Sequence, residues 1–287
     1  MKVLVLGATG TVGGAVTAGL LQGGASVAAL TRSEEKAKSL PAGVEPRIGD
    51  LNEPFEVGNA FKGVDALFLL NAVSNTELQE GLFALEWAKA HGVKKIVYLS
   101  VQYTERAAHL PHFGSKAAIE IAIKQSGIDY AILQPNNFYQ NDYWFKDVIL
   151  QHGIYPQPIG STGIERVDVR DIADAGVKAL EGGAGGRETY VLAGPEANTG
   201  EATAASWSKH LGRTIAYGGD DLDAWAKMNL QYLPAWMVFD FKMMYAYFQA
   251  SGLKATVAER AAAERLIGHA MRPYDAFVKE TVAAWKG

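Results

Sequence analysis

Lys116 and His112 stand one helical turn apart in the stretch HFGSKAAIE, residues 112–120. At that spacing their Cβ atoms lie roughly 5–6 Å apart on one helix face. An ammonium there can hydrogen-bond a bound molecule, and an imidazole can orient or protonate one. A like charge nearby disfavours the imidazolium form, and neutral imidazole is a poor proton donor to an alkoxide. The alternative is that His112 is a helix-start residue bonded to backbone or cofactor. Ser100 ends the apolar run KIVYLS. His109 and His112 form an H-x-x-H, but Pro111 lies between them and no third ligand completes a site, so no metal is expected.

A second constellation opens the chain. In VLVLGATGTVGG, Gly7, Gly10 and Gly13 follow an apolar run and begin a helical pattern. The first glycine permits a tight turn, the second lets backbone N–H groups approach a pyrophosphate, and the third lets helix and sheet pack closely. Gly7, Thr9, Gly10, Thr11, Val12 and Gly13 are therefore the expected dinucleotide-binding residues. The end of the second apolar run reads ALTRSEEKAK, with no acid at its tip to accept from a ribose 2′-hydroxyl. Arg32 can pair with a 2′-phosphate there, and Lys36 adds charge one turn on. NADP(H) is favoured, with NAD(H) the alternative. Asp50, in GDL after the third run, is either an acceptor for the adenine amino group or an ordinary turn residue.

These groups need a frame to hold them. Short apolar runs at 2–6, 26–30, 65–70, 95–100 and 129–134 read as buried parallel strands. The weaker run VEPRI at 44–48 fits an edge, where Pro46 is tolerated. Helical patterns lie between them. In one, Thr76 with Gln79 suggests a capping box, followed by Leu78, Leu82 and Leu85 on one face. The alternation predicts an α/β fold, a Rossmann-type doubly wound parallel sheet with a smaller, mostly helical C-terminal domain. The expected division is 1–152 and 153–287, with 168–180 packing back on the first domain. In DVRDIADAGVKAL a short strand should precede a helix capped by Asp171, and GGAGGRETYVLAG should be a flexible turn leading into a strand.

Composition narrows the function. Of 287 residues, 48% are hydrophobic and 20% charged, as in ordinary globular proteins. A net charge of −4, without a basic stripe, argues against direct nucleic-acid binding. The absence of cysteine removes disulfides, thiolate nucleophiles and metal–sulfur sites. No window suits a membrane span, and no signal segment opens the sequence, so a cytoplasmic protein is expected.

GATGTVG, GDL, IVYLS, HFGSKAAIE, GIDYAILQPNNF, DVRDIA and LAGPEANTGEATAASWSKHLGR together resemble the NmrA-like family of atypical short-chain dehydrogenases/reductases. The resemblance covers nearly the whole chain. It implies a Rossmann-type core and a small C-terminal domain that helps form a substrate cleft. Members include NADPH-dependent quinone reductases, isoflavone-reductase-like and triphenylmethane-reductase-like enzymes, and redox-sensing regulators that catalyse nothing. In conventional members of the superfamily a tyrosine stands where His112 does, protonating the carbonyl oxygen. Ser100 and Lys116 match the pattern, and Lys116 would hydrogen-bond the nicotinamide ribose.

By the same resemblance, Pro135 and Asn136 line the nicotinamide end, and Ala72 and Val73 run beside the ribose. Asn137, Phe138, Tyr139, Tyr143 and Trp144 would wall a small aromatic or conjugated substrate. Trp225, Met228, Tyr232, Trp236, Phe239 and Tyr245 offer further flat surfaces. For most of those aromatics the alternative is the small domain's own core or a homodimer face. The tyrosine's absence argues against alcohol dehydrogenation. It permits reduction of quinones, enones or cationic dyes, whose reduced forms spread their charge; a phenolate-like oxygen takes its proton from water. The rival is a non-catalytic NADP(H)-binding regulator.

Overall fold

The structure, a computed structural model, describes residues 1–183 and 186–286. Two compact units divide the chain. One comprises Met1–Pro135, Val169–Val191 and Ala261–Gly268; the other Asn136–Asp168, Leu192–Arg260 and His269–Gly287. The division thus falls after Pro135 rather than at 152, and the segment from Val169 belongs to the first unit.

The first half alternates strictly. β1 (Lys2–Leu6), α1 (Thr11–Gln22), β2 (Ser26–Thr31), α2 (Glu34–Ala37), β3 (Val44–Ile48) and α3 (Pro54–Val57) come first. β4 (Ala66–Leu69), α4 (Glu77–Ala90), β5 (Lys95–Leu99), α5 (Pro111–Gln125) and β6 (Asp129–Pro135) follow. After β7 (Ile154–Tyr155) come α6 (Val169–Leu180) and β8 (Glu188–Leu192). The seven-stranded sheet runs β3-β2-β1-β4-β5-β6-β8, with β1 parallel to both β2 and β4. Strand order therefore reverses beside β1, the switch point where this architecture binds ligands. The Rossmann-type expectation holds, with VEPRI at the sheet edge.

Residue alternation assigns each face its helices. Leu4, Leu6, Leu67, Leu69, Ile96, Tyr98 and Ile132 form one core cluster with Ala84, Leu85, Ala88, Ile119 and Ile123 of α4 and α5. On the other face Gly176 of α6 lies where a Cβ would meet Phe68 at 3.0 Å and Val16 of α1 at 3.2 Å. Burial on α4 departs from the leucine pattern: Glu77, Gly81, Ala84, Leu85 and Ala88 point inward, whereas Leu82 is exposed. The reason is proximity. A Cβ on Gly81 would stand 2.4 Å from Ile119 Cδ1, so small residues let α4 lie against α5.

Other local expectations change too. Thr76 makes no side-chain cap to the α4 backbone; its hydroxyl donates to Glu80 Oε1 at 2.7 Å, not to Gln79. α6 begins at Val169 with no strand before it, which puts Asp171 inside the first turn. The glycine-rich turn preceding β8 lies partly outside the described residues.

The second unit is mostly helical: α7 (Gly200–Leu211), α8 (Leu222–Asn229), α9 (Ala235–Ser251) and α11 (Tyr274–Lys286), with β7 paired to β9 (Ala216–Tyr217). α10 (Val257–Ile267) straddles the boundary of the units. Among the described residues, no helix is long and apolar enough to cross a membrane.

Candidate cofactor and catalytic site

The glycine loop has the geometry its spacing predicts. Gly7 has φ +69°, a conformation that disfavours side chains, and a Cβ there would meet Leu70 Cδ2 at 2.7 Å. On Gly13 a Cβ would stand 2.2 Å from the carbonyl oxygen of Gly7, and backbone cannot give way. The loop is thus wrapped onto the start of α1. Gly10 caps α1 without a side-chain bond, and the first turn carries no acid. α2 differs: Ser33 accepts from Lys36 N, and Glu34 and Glu35 fill the first turn. Uncapped N–H groups and a positive dipole end at α1 suit a pyrophosphate. Thr9, Gly10 and Thr11 are exposed there, while Val12 anchors the helix in the core.

At the tip of β2, Arg32 is exposed, and neither its side chain nor that of Lys36 has a partner among the described residues. Two unpaired cations at that strand end fit a 2′-phosphate. Asp50 Oδ1 accepts from Asn52 N at 2.9 Å and Asn52 Nδ2 at 3.2 Å. Asn52 Nδ2 also reaches Glu80 Oε1 at 3.0 Å, which ties this turn to the first turn of α4.

Beyond β4 and β5 the site becomes a layer of buried polar groups. Lys116 is 7% exposed, and its Nζ lies 2.7 Å from Oε1 of Glu77, itself 1% exposed. The same ammonium donates to the Leu99 carbonyl at 3.5 Å and lies 5.8 Å from the centre of the Tyr98 ring. Burial, followed by the charges of Glu77 and Glu120, pushes the Tyr98 phenol well above its usual range, so this hydroxyl keeps its proton. Asn71, just after β4, is 8% exposed, and neither its amide nitrogen nor its oxygen has a hydrogen-bond partner among the described residues. A buried amide is costly to leave unpaired, so this orphan at the carboxyl edge of the sheet suits a polar ligand. Ala72 is exposed and Val73 half-buried beside it.

Ser100 is committed elsewhere. Its hydroxyl donates to Glu120 Oε1 at 2.5 Å, where Gln134 Nε2 at 2.9 Å and Thr104 Oγ1 at 3.3 Å also converge. Lys124 pairs with the other oxygen at 3.2 Å. His112 is 8% exposed, its ring set edge-on to Phe113 at 4.7 Å. α5 thus places His112, Lys116 and Glu120 on one buried face. Sequence reasoning missed Asn71, Glu77 and Glu120. An acid in a helix's first turn reads as a dipole partner, and only the burial of Lys116 demands a counter-charge.

Pro135 closes β6 and accepts from Gln102 N at 3.0 Å. In the second unit, Asn136 Nδ2 donates to the Leu253 carbonyl at 2.8 Å, and Asn137 Oδ1 accepts from Arg166 Nε at 3.1 Å. Both amides therefore brace this unit. Tyr139, expected to face substrate, is fully buried: its hydroxyl donates to the Arg272 carbonyl, and its ring packs on Tyr274 and Phe277. Phe138 is half-buried, Tyr143 is 47% exposed and Trp144 74%. Met228, Tyr232 and Phe239 are also exposed, whereas Tyr245 is buried.

Fold, glycine loop and strand order define a dinucleotide-binding protein of the short-chain dehydrogenase/reductase type. The NmrA-like family model matches residues 1–266, and the chain belongs to that family. It is 30% identical to an NAD(P)H azoreductase of Xenophilus azovorans, over 75% of this chain and 76% of that one. It is also 30% identical to a (4-alkanoyl-5-oxo-2,5-dihydrofuran-3-yl)methyl phosphate reductase of Streptomyces griseus, over 95% of each chain. Among solved structures, an NADPH-dependent quinone oxidoreductase of Escherichia coli bound to NADPH superposes with a TM-score of 0.87, at 24% identity and full coverage of both chains.

Proposed function

We propose that this protein is an NADPH-dependent reductase that passes a hydride to a flat, conjugated acceptor such as a quinone, an enone or an azo or triphenylmethane dye. It is an oxidoreductase that uses NADP(H). The observation that carries the acceptor class is the hydrogen bond from Ser100 to Glu120. Three donors converge on that carboxylate oxygen, so the serine proton is already directed away from any substrate carbonyl. With His112 in place of a phenol, the site offers no strong acid to an alkoxide. A conjugated acceptor asks for less, because its reduced form delocalises the charge and takes its proton from water.

NADPH, when bound, supplies the hydride. The loop Gly7–Gly13 and the first turn of α1 hold the pyrophosphate, and Arg32 with Lys36 holds the 2′-phosphate. Lys116 donates to the ribose and Asn71 offers its unpaired amide. His112 orients the acceptor. Catalysis on this reading comes chiefly from proximity. The names of the two curated relatives and of the quinone oxidoreductase support the reading. Its test is NADPH oxidation against matched acceptors. Quinones, enones and dyes should turn over, while unconjugated ketones of similar size should not. Equal rates on both would refute the acceptor class.

A further inference from the structure

We infer that Glu77 is a positioning residue for Lys116, holding its ammonium so that one N–H points into the cofactor site. The inference rests on the role given to Lys116 above. An ammonium has three donors in a tetrahedral fan. Lys116 is ion-paired to Glu77, Nζ to Oε1 at 2.7 Å, and one of its donors is taken up by the Leu99 carbonyl at 3.5 Å. The ion pair on one side and the carbonyl on the other restrain where the ammonium lies. The side chain therefore arrives at the site with its rotation already restricted, which lowers the entropy lost when a ribose hydroxyl is engaged.

The position of Glu77 is itself built. It lies in the first turn of α4, a segment held from outside by Glu80, whose Oε1 accepts from Thr76 Oγ1 at 2.7 Å and Asn52 Nδ2 at 3.0 Å. Gly81, one turn on, brings α4 close enough to α5 for the carboxylate to reach across. The pair is 1% and 7% exposed, so neither partner is screened by water. A surface glutamate could not restrain a lysine in this way, because exposed pairs interchange freely with solvent. Glu120, the other buried acid on this layer, is already occupied by Ser100, Thr104, Gln134 and Lys124.

The test is a double-mutant cycle on NADPH binding, with Kd measured by fluorescence on folded protein. Glu77→Gln keeps the shape and removes the charge; Lys116→Met removes the ammonium. Lys116→Met alone should weaken binding, and Glu77→Gln alone should raise Kd about tenfold. In the Lys116→Met background, Glu77→Gln should change Kd by less than about twofold, because its effect runs through the missing lysine. If Glu77→Gln does not fold, Glu77→Asp carries the same cycle, since it keeps the charge but withdraws the carboxylate by one methylene. Wild-type affinity in the Glu77 variant, or an equal loss in both backgrounds, overturns the proposal. A Lys116→Met variant that binds NADPH normally overturns the lysine's role instead. The two failures are thus distinguishable, and neither depends on finding an acceptor.

Discussion

Two buried ion pairs, one in each unit, are used in opposite ways. In the second unit Arg166 and Asp142 are both fully buried, with Nη2 to Oδ1 at 2.7 Å. Asp142 also accepts from Tyr155, Trp207 and Tyr274. Arg166 spreads its remaining donors over Asn137 Oδ1, the Phe138 carbonyl and the Tyr155 hydroxyl. Burial holds the Tyr155 and Tyr274 phenols well above their usual range, so both stay proton donors. Lys116 of the first unit, by contrast, has one carboxylate, one long bond to a carbonyl and a donor to spare. A saturated pair specifies packing and leaves nothing for a ligand. On the proposed reading, a pair with capacity left, in the same unit as the orphaned amide of Asn71, is where a ligand would add the missing bonds.

The largest effect should come from breaking the saturated pair. Asp142→Ala strands a buried guanidinium and three donors, and should cost about 3–5 kcal/mol in a denaturant titration. A loss under about 1 kcal/mol would mean that the second unit does not depend on this network.

Arg32 sharpens the contrast from the other side, being a cation without a partner among the described residues. Arg32→Ala should leave stability unchanged and remove on the order of 1–3 kcal/mol of the preference for NADPH over NADH. Titration of both nucleotides reads this directly. Equal affinities in the unaltered protein would remove Arg32 from the 2′-phosphate site.

The architecture and the glycine loop's geometry were legible in the sequence because their causes are local. Gly7 and Gly13 are required by backbone contacts within the same short loop, and strand–helix alternation follows from apolar spacing. The partners of Lys116 and Ser100 were not legible. Glu77 lies on a different helix from Lys116, and Glu120 meets Ser100, Thr104 and Gln134 only when β5, α5 and β6 pack together. Tyr139 misled for the same reason. Its place in the chain suggests a wall for substrate, but residues far along the sequence, Arg272, Tyr274 and Phe277, enclose it. Leu82 shows the converse, a leucine at helical spacing left outside because Gly81 brings the helices together there.

His112 should matter less than either charge. If it only orients the acceptor, His112→Ala lowers turnover about tenfold or less. A fall of roughly 10²–10⁴ would identify a general acid and reopen carbonyl reduction.

The smallest effect belongs to an exposed pair. The hydrogen bond from Lys209, opposed by partial burial and aided by His210, holds Asp275 below the usual carboxylate range. A depressed folded-state pKa contributes stability above the unfolded-state value, and that contribution is lost as pH falls through the folded-state value. Half exposed, the group should contribute under about 1 kcal/mol. Asp275→Asn should therefore be slightly less stable than the unaltered protein at neutral pH and equal to it in acid. A difference that grows on acidification would contradict the assignment.

The most direct measurement follows deuterium from C4 of stereospecifically labelled NADPH into the product of a quinone or dye reduction. Multiple turnovers without flavin or metal are expected, with label transferred from only one of the two C4 faces. Saturable NADPH binding with no oxidation across all acceptors, or label lost equally from both faces, would contradict this expectation. The first of these would mark the chain as a nucleotide-binding regulator.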